Sequence, residues 1–175
     1  HTFNRSRGVD LLPLIAHELK NKSLDAVIIA IGRSGDYSSE LDFQIETNQL
    51  QDYLINLGQI PNRKIEKFYQ ISDLFLMPSR GEGFPRVMLE AMACSSPTLA
   101  FDVGGVSEIM GQTVQNELLI PLNEEDKFID QAIKLTHSKN LCNHLGNAVY
   151  AKVEEYSTEN IVEMYTNVMS RIHSK

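Results

Sequence analysis

Glu82 and Glu90 stand eight positions apart in the run LMPSRGEGFPRVMLEAMAC over residues 76–94. A carboxylate can accept hydrogen bonds from hydroxyl groups or hold charge beside a reacting centre. Residues 73–77 read as the end of an apolar strand, and residues 78–85 as a turn rich in Pro, Ser and Gly. Residues 87–94 read as a helix that is apolar except for Glu90. A helix apolar nearly all round is a buried one, and an ionised carboxylate there needs a partner, hydrogen bonds or a cleft. Between the two glutamates lies the helix N-terminus, lined by Gly83, Phe84, Pro85, Arg86 and Val87, with free N–H groups and the positive end of the dipole. That end suits a diphosphate. One loop therefore offers donors to phosphate and two carboxylates to hydroxyl groups, the combination that a nucleotide sugar requires. The plainer alternatives are a buried Glu90 paired with Arg86 at i−4, a solvated Glu82 in a turn, and Arg86 as a rim residue.

These groups need a scaffold. The apolar run over residues 26–31 predicts a strand buried on both faces, closed by the turn Gly32-Arg33-Ser34-Gly35. A helix capped by Ser38 or Ser39 follows, then a strand over 53–57 ending in Gly58-Gln59-Ile60-Pro61. Asn62 is the expected cap of the next helix, with Ile65, Phe68 and Tyr69 as its core stripe. Residues 97–101 predict another buried strand. Gly104 and Gly105 follow it and could let backbone approach a ligand closely. A short strand over 117–120, a helix capped by Asn123, one begun by Ser138 and one over 158–172 complete the pattern. Ahead of all these, Asp10 is expected to cap a first helix carrying Pro13 in its first turn. Strands alternating with helices argue for an α/β domain, with a mostly parallel sheet and helices on both faces. Ligands in such folds bind beyond the carboxyl ends of the strands, where the turns at Gly32, Gly58, 79–84 and Gly104 gather.

Composition removes other classes. The 175 residues suffice for one domain with a full core. With Asp+Glu 23 against Lys+Arg 16, the net charge of -7 argues against a broad nucleic-acid or anionic-membrane surface. The two cysteines, Cys94 and Cys142, form no disulfide framework and are expected to be buried thiols. No apolar run approaches the ~20 residues of a membrane span. His1, His17, His137, His144 and His173 form no ligand cluster with the cysteines, so no metal is expected. Neither a G-x-S-x-G elbow nor a P-loop is present.

The spacing Glu82, seven residues, Glu90, set in Ser-Arg-Gly-Glu-Gly-Phe-Pro and Leu-Glu-Ala-Met-Ala, resembles the E-x7-E motif of retaining GT-B glycosyltransferases of the family-4 type. Arg7-Gly8 is similar to the family's Lys-Gly or Arg-Gly pair, whose basic residue meets the donor diphosphate. Without the resemblance Arg7 would read as a solvated arginine. The resemblance also places Gly32 and Arg33, the Gly58-Gln59-Ile60 turn, and Gly104-Gly105 at the donor cleft. It gives Glu90 the ribose hydroxyls and Glu82 the sugar hydroxyls and the charge near the anomeric centre. It implies a Rossmann-like half of a GT-B fold over residues 1–175, a single donor-binding domain. An N-terminal acceptor domain and part of the first strand would lie outside it, and the piece alone would be nearly inactive. A nucleoside diphosphate sugar would be the donor, a glycan or lipid-linked glycan the acceptor, and no cofactor or metal would be required. The expected location is cytoplasmic, at most peripheral at the inner membrane face through the missing part. The chain departs from the pattern in two places. Where a second upstream basic residue is usual, His1 or Thr2 stands. Where the central helix usually ends in glycine, Ser95-Ser96-Pro97 stands. A sugar-nucleotide epimerase of the same architecture and a non-catalytic nucleotide-binding domain are the competing classes.

Overall fold

The computed structural model describes residues 2–173; His1 lies outside them. Two 3-10 turns, Arg5–Arg7 and Val9–Leu11, lead into α1 (Leu12–Asn21). There follow β1 (Ile28–Ile31), α2 (Ser38–Thr47), β2 (Leu54–Gly58), α3 (Asn62–Ile71), β3 (Phe75–Met77), α4 (Arg86–Ala93) and β4 (Thr98–Asp102). The chain continues through α5 (Val106–Met110), α6 (Gln115–Leu118), β5 (Leu119–Pro121), α7 (Glu125–Thr136), α8 (Lys139–Val153) and α9 (Thr158–His173).

All the strand pairs are parallel, as the alternating pattern demands, but they form two sheets rather than one: β1-β2 and β3-β4-β5. The edges of β1 and β3 line a groove of about 1000 Å³ between the sheets. Thr2 forms an isolated parallel bridge with Arg33, just past the end of β1, and the Phe3 N–H donates to the Arg33 carbonyl at 2.9 Å. The chain therefore enters alongside β1, at the mouth of that groove.

Burial follows this division. In β4, Thr98, Leu99, Ala100 and Phe101 are fully buried, because β4 has strands on both sides and helices over it. The expectation that residues 26–31 are covered on both faces is not met. Val27 and Ile29 are exposed, as are Ile55 and Leu57 on β2. A two-stranded ribbon has too little sheet to hide both faces.

Helix α1 packs with α2 and with α7, α7 also with α8, and α4 with α3 and α8. The larger core cluster runs from Leu11 and Ile15 through Met88, Met92 and Phe101 to Phe128, Leu145 and Val149. A smaller one joins Phe3, Leu12 and Ala16 to Ala30, Tyr37, Leu41 and Leu54.

Most predicted helices are present, but several of their caps differ. Leu11, not Asp10, precedes α1, with Pro13 in its first turn as expected. Ser38 is the first residue of α2, and its hydroxyl accepts from the Gly35 N–H at 2.9 Å. Pro61 rather than Asn62 precedes α3. Asn123 adopts φ 72 and leaves the N-cap of α7 to Glu124. Ser138 does cap α8, accepting from the Leu141 N–H at 3.3 Å. Residues 117–118 belong to α6 rather than to the last strand.

Candidate functional site

The site is built at the carboxyl ends of β3 and β4, on the loop over residues 78–85. Two backbone hydrogen bonds and two close backbone approaches fix that loop. The Arg80 N–H donates to the Ser6 carbonyl at 2.9 Å, and the Gly105 N–H to the Gly83 carbonyl at 2.8 Å. Gly8, at φ 69, lies so close to Pro78 that a Cβ would fall 1.8 Å from its carbonyl oxygen. Gly104 does the same on the other side, at φ 54, with a Cβ falling 1.8 Å from the Glu82 carbonyl oxygen. The glycines of the Gly104-Gly105 turn are thus required by the glutamate loop itself. Their expected role, close backbone approach to a ligand, is taken by protein backbone here. Gly81 and Gly83 by contrast face open space.

Glu82 and Arg7 meet. The Arg7 guanidinium donates to the Glu82 carboxylate, and lies 3.4 Å from both the Ser79 hydroxyl and the Gly81 carbonyl. The Glu82 side chain is 7% exposed and that of Arg7 33%. Glu82 is therefore not the solvated turn residue of the plainer alternative. The predicted basic and acidic groups share one spot, joined by an ion pair that spans 75 positions of sequence.

Beyond Pro85, α4 begins with Arg86. Pro85 has no N–H, so the predicted row of donors is broken there. Arg86 and Val87 carry first-turn amides without intrahelical acceptors, and the preceding Gly83 and Phe84 are exposed. The Phe84 ring packs edge-on against Tyr156, centroids 5.7 Å apart. Arg86 is exposed at the rim, as one alternative reading had it.

Glu90 stands one turn into α4 and is exposed. The expectation of a carboxylate buried in an apolar helix is incorrect, because α4 buries only Met88, Ala91 and Met92 and leaves the Arg86–Glu90–Ala93 side open. Glu90 makes no hydrogen bond or ion pair with Arg86 among the described residues, so it is available to a ligand. Its charge is felt by two neighbours. Burial first, and then Glu90, hold the Tyr69 phenol above its ordinary range. Burial, Glu66 and Glu90 raise the Cys94 thiol. Cys94 is half-buried and Cys142 buried, both free.

Gly32 and Gly58 are brought together at the ends of β1 and β2, the Gly32 N–H donating to the Gly58 carbonyl at 3.0 Å. Arg33 and Gln59 are exposed and Ile60 is half-buried. Among the described residues no hydrogen bond or ion pair joins this pair of turns to Glu82 or Glu90. Sequence reasoning passed over Ser79, which is 2% exposed beneath Arg7. It also missed Arg80 as an organising residue: Arg80 contacts Asp10 at 2.8 and 2.9 Å and Glu125 at 2.5 Å. The available signal was an arginine in a short loop between a buried strand and a helix, with Asp10 read as a helix cap instead.

Among the described residues there is no group of three or more His, Cys, Asp or Glu side chains that could hold a metal ion, and no helix long and apolar enough to cross a membrane.

A family model described as glycosyl transferases group 1 matches residues 1–152. N-acetyl-alpha-D-glucosaminyl L-malate synthase of Bacillus anthracis is 29% identical over 146 residues, 83% of this chain and 37% of that protein. The putative teichuronic acid biosynthesis glycosyltransferase TuaC of Bacillus subtilis is 34% identical over 82 residues, 47% of this chain and 21% of that protein. The chain thus spans well under half the length of these relatives. Among solved structures, TarM of S. aureus, in a complex containing UDP, superposes with a TM-score of 0.81 at 24% identity, over 95% of this chain and 34% of that one. The C-terminal domain of LpcC, a glycosyl transferase group 1 family protein of Francisella tularensis, superposes at 0.79 with 23% identity, over 90% of this chain and 83% of that one. These likenesses show the fold.

Proposed function

The chain belongs to the glycosyl transferases group 1 family, and we propose that it is the donor-binding domain of a retaining glycosyltransferase that moves a sugar from a nucleoside diphosphate to a glycan or lipid-linked glycan. The observation that carries this reading is the meeting of Arg7 with Glu82 at a loop whose next helix offers first-turn amides without intrahelical acceptors and an exposed Glu90. Glu90 accepts hydrogen bonds from the ribose hydroxyls, each charge-assisted bond contributing about 1.5–3 kcal/mol. The amides of Arg86 and Val87, aided by the dipole of α4, stabilise the leaving diphosphate together with Arg7. Glu82 holds sugar hydroxyls and supports positive charge near the anomeric carbon. Protein groups supply this stabilisation without a metal. Gly32, Arg33 and the Gly58-Gln59-Ile60 turn border the nucleoside. Gly104 and Gly105 act indirectly, by seating Glu82. The acceptor and its binding domain belong to other parts of the intact protein. The groove between the free edges of β1 and β3 suits one further parallel strand, leading into Thr2 and completing a single sheet.

Transfer from a panel of UDP-, GDP- and ADP-sugars by the intact protein, with the product anomer read by NMR, tests the reading. One donor class should be used with retention, and Glu82→Ala should lower turnover by ~100-fold or more. Transfer with inversion, unchanged turnover in Glu82→Ala, or epimer formation without acceptor would each refute it.

A further inference from the structure

Arg80 sits two residues before Glu82, and among the described residues its guanidinium makes no hydrogen bond or ion pair with Glu82 or Glu90. Its guanidinium bridges two carboxylates from distant parts of the chain. It binds Asp10, in the Val9–Leu11 turn, with both oxygens, and Glu125, the first residue of α7. The same guanidinium donates to the Arg5 carbonyl at 2.5 Å, and the Arg80 N–H to the Ser6 carbonyl. Arg80 and Asp10 are both mostly buried at this junction, their side chains 26% and 22% exposed. Three of its partners, Arg5, Ser6 and Asp10, flank Arg7 in sequence. The segment that carries Arg7 and the loop that carries Glu82 are therefore held as one body, and α7 is fastened to it.

We infer that Arg80 is a positioning residue for the transfer reaction: by clamping residues 5–10 to the loop it sets Arg7 opposite Glu82. The planar, bidentate guanidinium is what this requires. A lysine ammonium, a single point charge, cannot hold Asp10 bidentately while also reaching Glu125. Without a cation there, Asp10 and Glu125 repel each other and the two segments part. Small displacements of such a pair are costly to turnover. Among the described residues Glu90 and the first turn of α4 make no hydrogen bond or ion pair with Arg80, so nucleotide binding through them is spared. This inference rests on the donor-site reading given above.

The test is a double-mutant cycle in the intact protein, measured as turnover at saturating donor and as calorimetric affinity for the nucleotide product. Arg80→Gln should lower turnover about tenfold and weaken affinity for the nucleoside diphosphate product by less, about threefold, because Arg7 is displaced while Glu90 and the first turn of α4 keep their hold. In an Arg7→Lys background, where Glu82 is already misaligned, Arg80→Gln should cost less than about threefold more. Arg80→Lys should recover part of the loss. If Arg80→Gln does not fold, Asp10→Asn, which loosens one clamp and keeps the arginine, should show the same split. Equal losses in both backgrounds, or a lowered melting temperature with unchanged turnover, would overturn the clamp. If Arg7→Lys and Glu82→Gln are themselves without effect on turnover, it is the donor-site reading that fails.

Discussion

At the residue scale, the two glutamates of the central motif have opposite surroundings. Glu82 is nearly enclosed and paired with Arg7; Glu90 is open and, among the described residues, makes no hydrogen bond or ion pair. Glu90 nevertheless influences Cys94, whose thiol is raised by burial and by the charges of Glu66 and Glu90. Removing one of those charges favours the thiolate. Glu90→Gln should therefore lower the thiol pKa and speed alkylation of Cys94 near pH 8 by about twofold, while the fully buried Cys142 stays unreactive. Mass spectrometry after timed iodoacetamide treatment reads both sites, and unchanged Cys94 labelling would separate the two groups. Gly104 is a sharper case. Alanine there needs φ 54 and puts a Cβ 1.8 Å from the Glu82 carbonyl oxygen. Gly104→Ala should cost at least about 2 kcal/mol of stability by denaturant titration, and turnover should fall because the loop must move.

At the element scale, the pattern of apolar runs and glycines located each strand and most helices, because strand burial and turn punctuation are written in local composition. Helix caps were less legible. Asp10 has the chemistry of an N-cap, but Arg80, 70 positions away, claims it. Glu90 was placed on a buried helix because Val87, Ala91, Met92 and Ala93 are apolar, yet small Ala93 lies on the open side. Apolar type does not reveal which face of a short helix is covered. The Gly104-Gly105 turn was recognised as a close approach, but its partner could only be found in three dimensions. The departure at Ser95 was legible and has a structural consequence: Ser95 follows α4 at φ 57, the left-handed region that favours glycine. Ser95→Gly should raise stability by about 0.5–1 kcal/mol, the relief of strain being partly offset by a more flexible unfolded chain. A lower midpoint in urea would mean that the serine side chain contributes more than its backbone costs.

For the whole molecule, the division into β3-β4-β5 and β1-β2 predicts uneven stability. Hydrogen exchange should be slowest in β4, which is enclosed on every side, and faster by an order of magnitude or more in β1 and β2, whose Ile29, Ile55 and Leu57 are open. Equal protection in both would mean that the ribbon is covered in solution. The long helix α9 presents Val162, Tyr165, Val168 and Ile172 outward. The account depends most on the donor being held jointly by Arg7, Glu82, the head of α4 and Glu90. Calorimetric titration of the intact protein with UDP, GDP and ADP, repeated with Glu90→Gln, tests it most directly. One of the three nucleotides should bind, and the substitution should weaken it by about 10–100-fold; equal affinity in the two proteins, or binding of none of the three, would contradict the account.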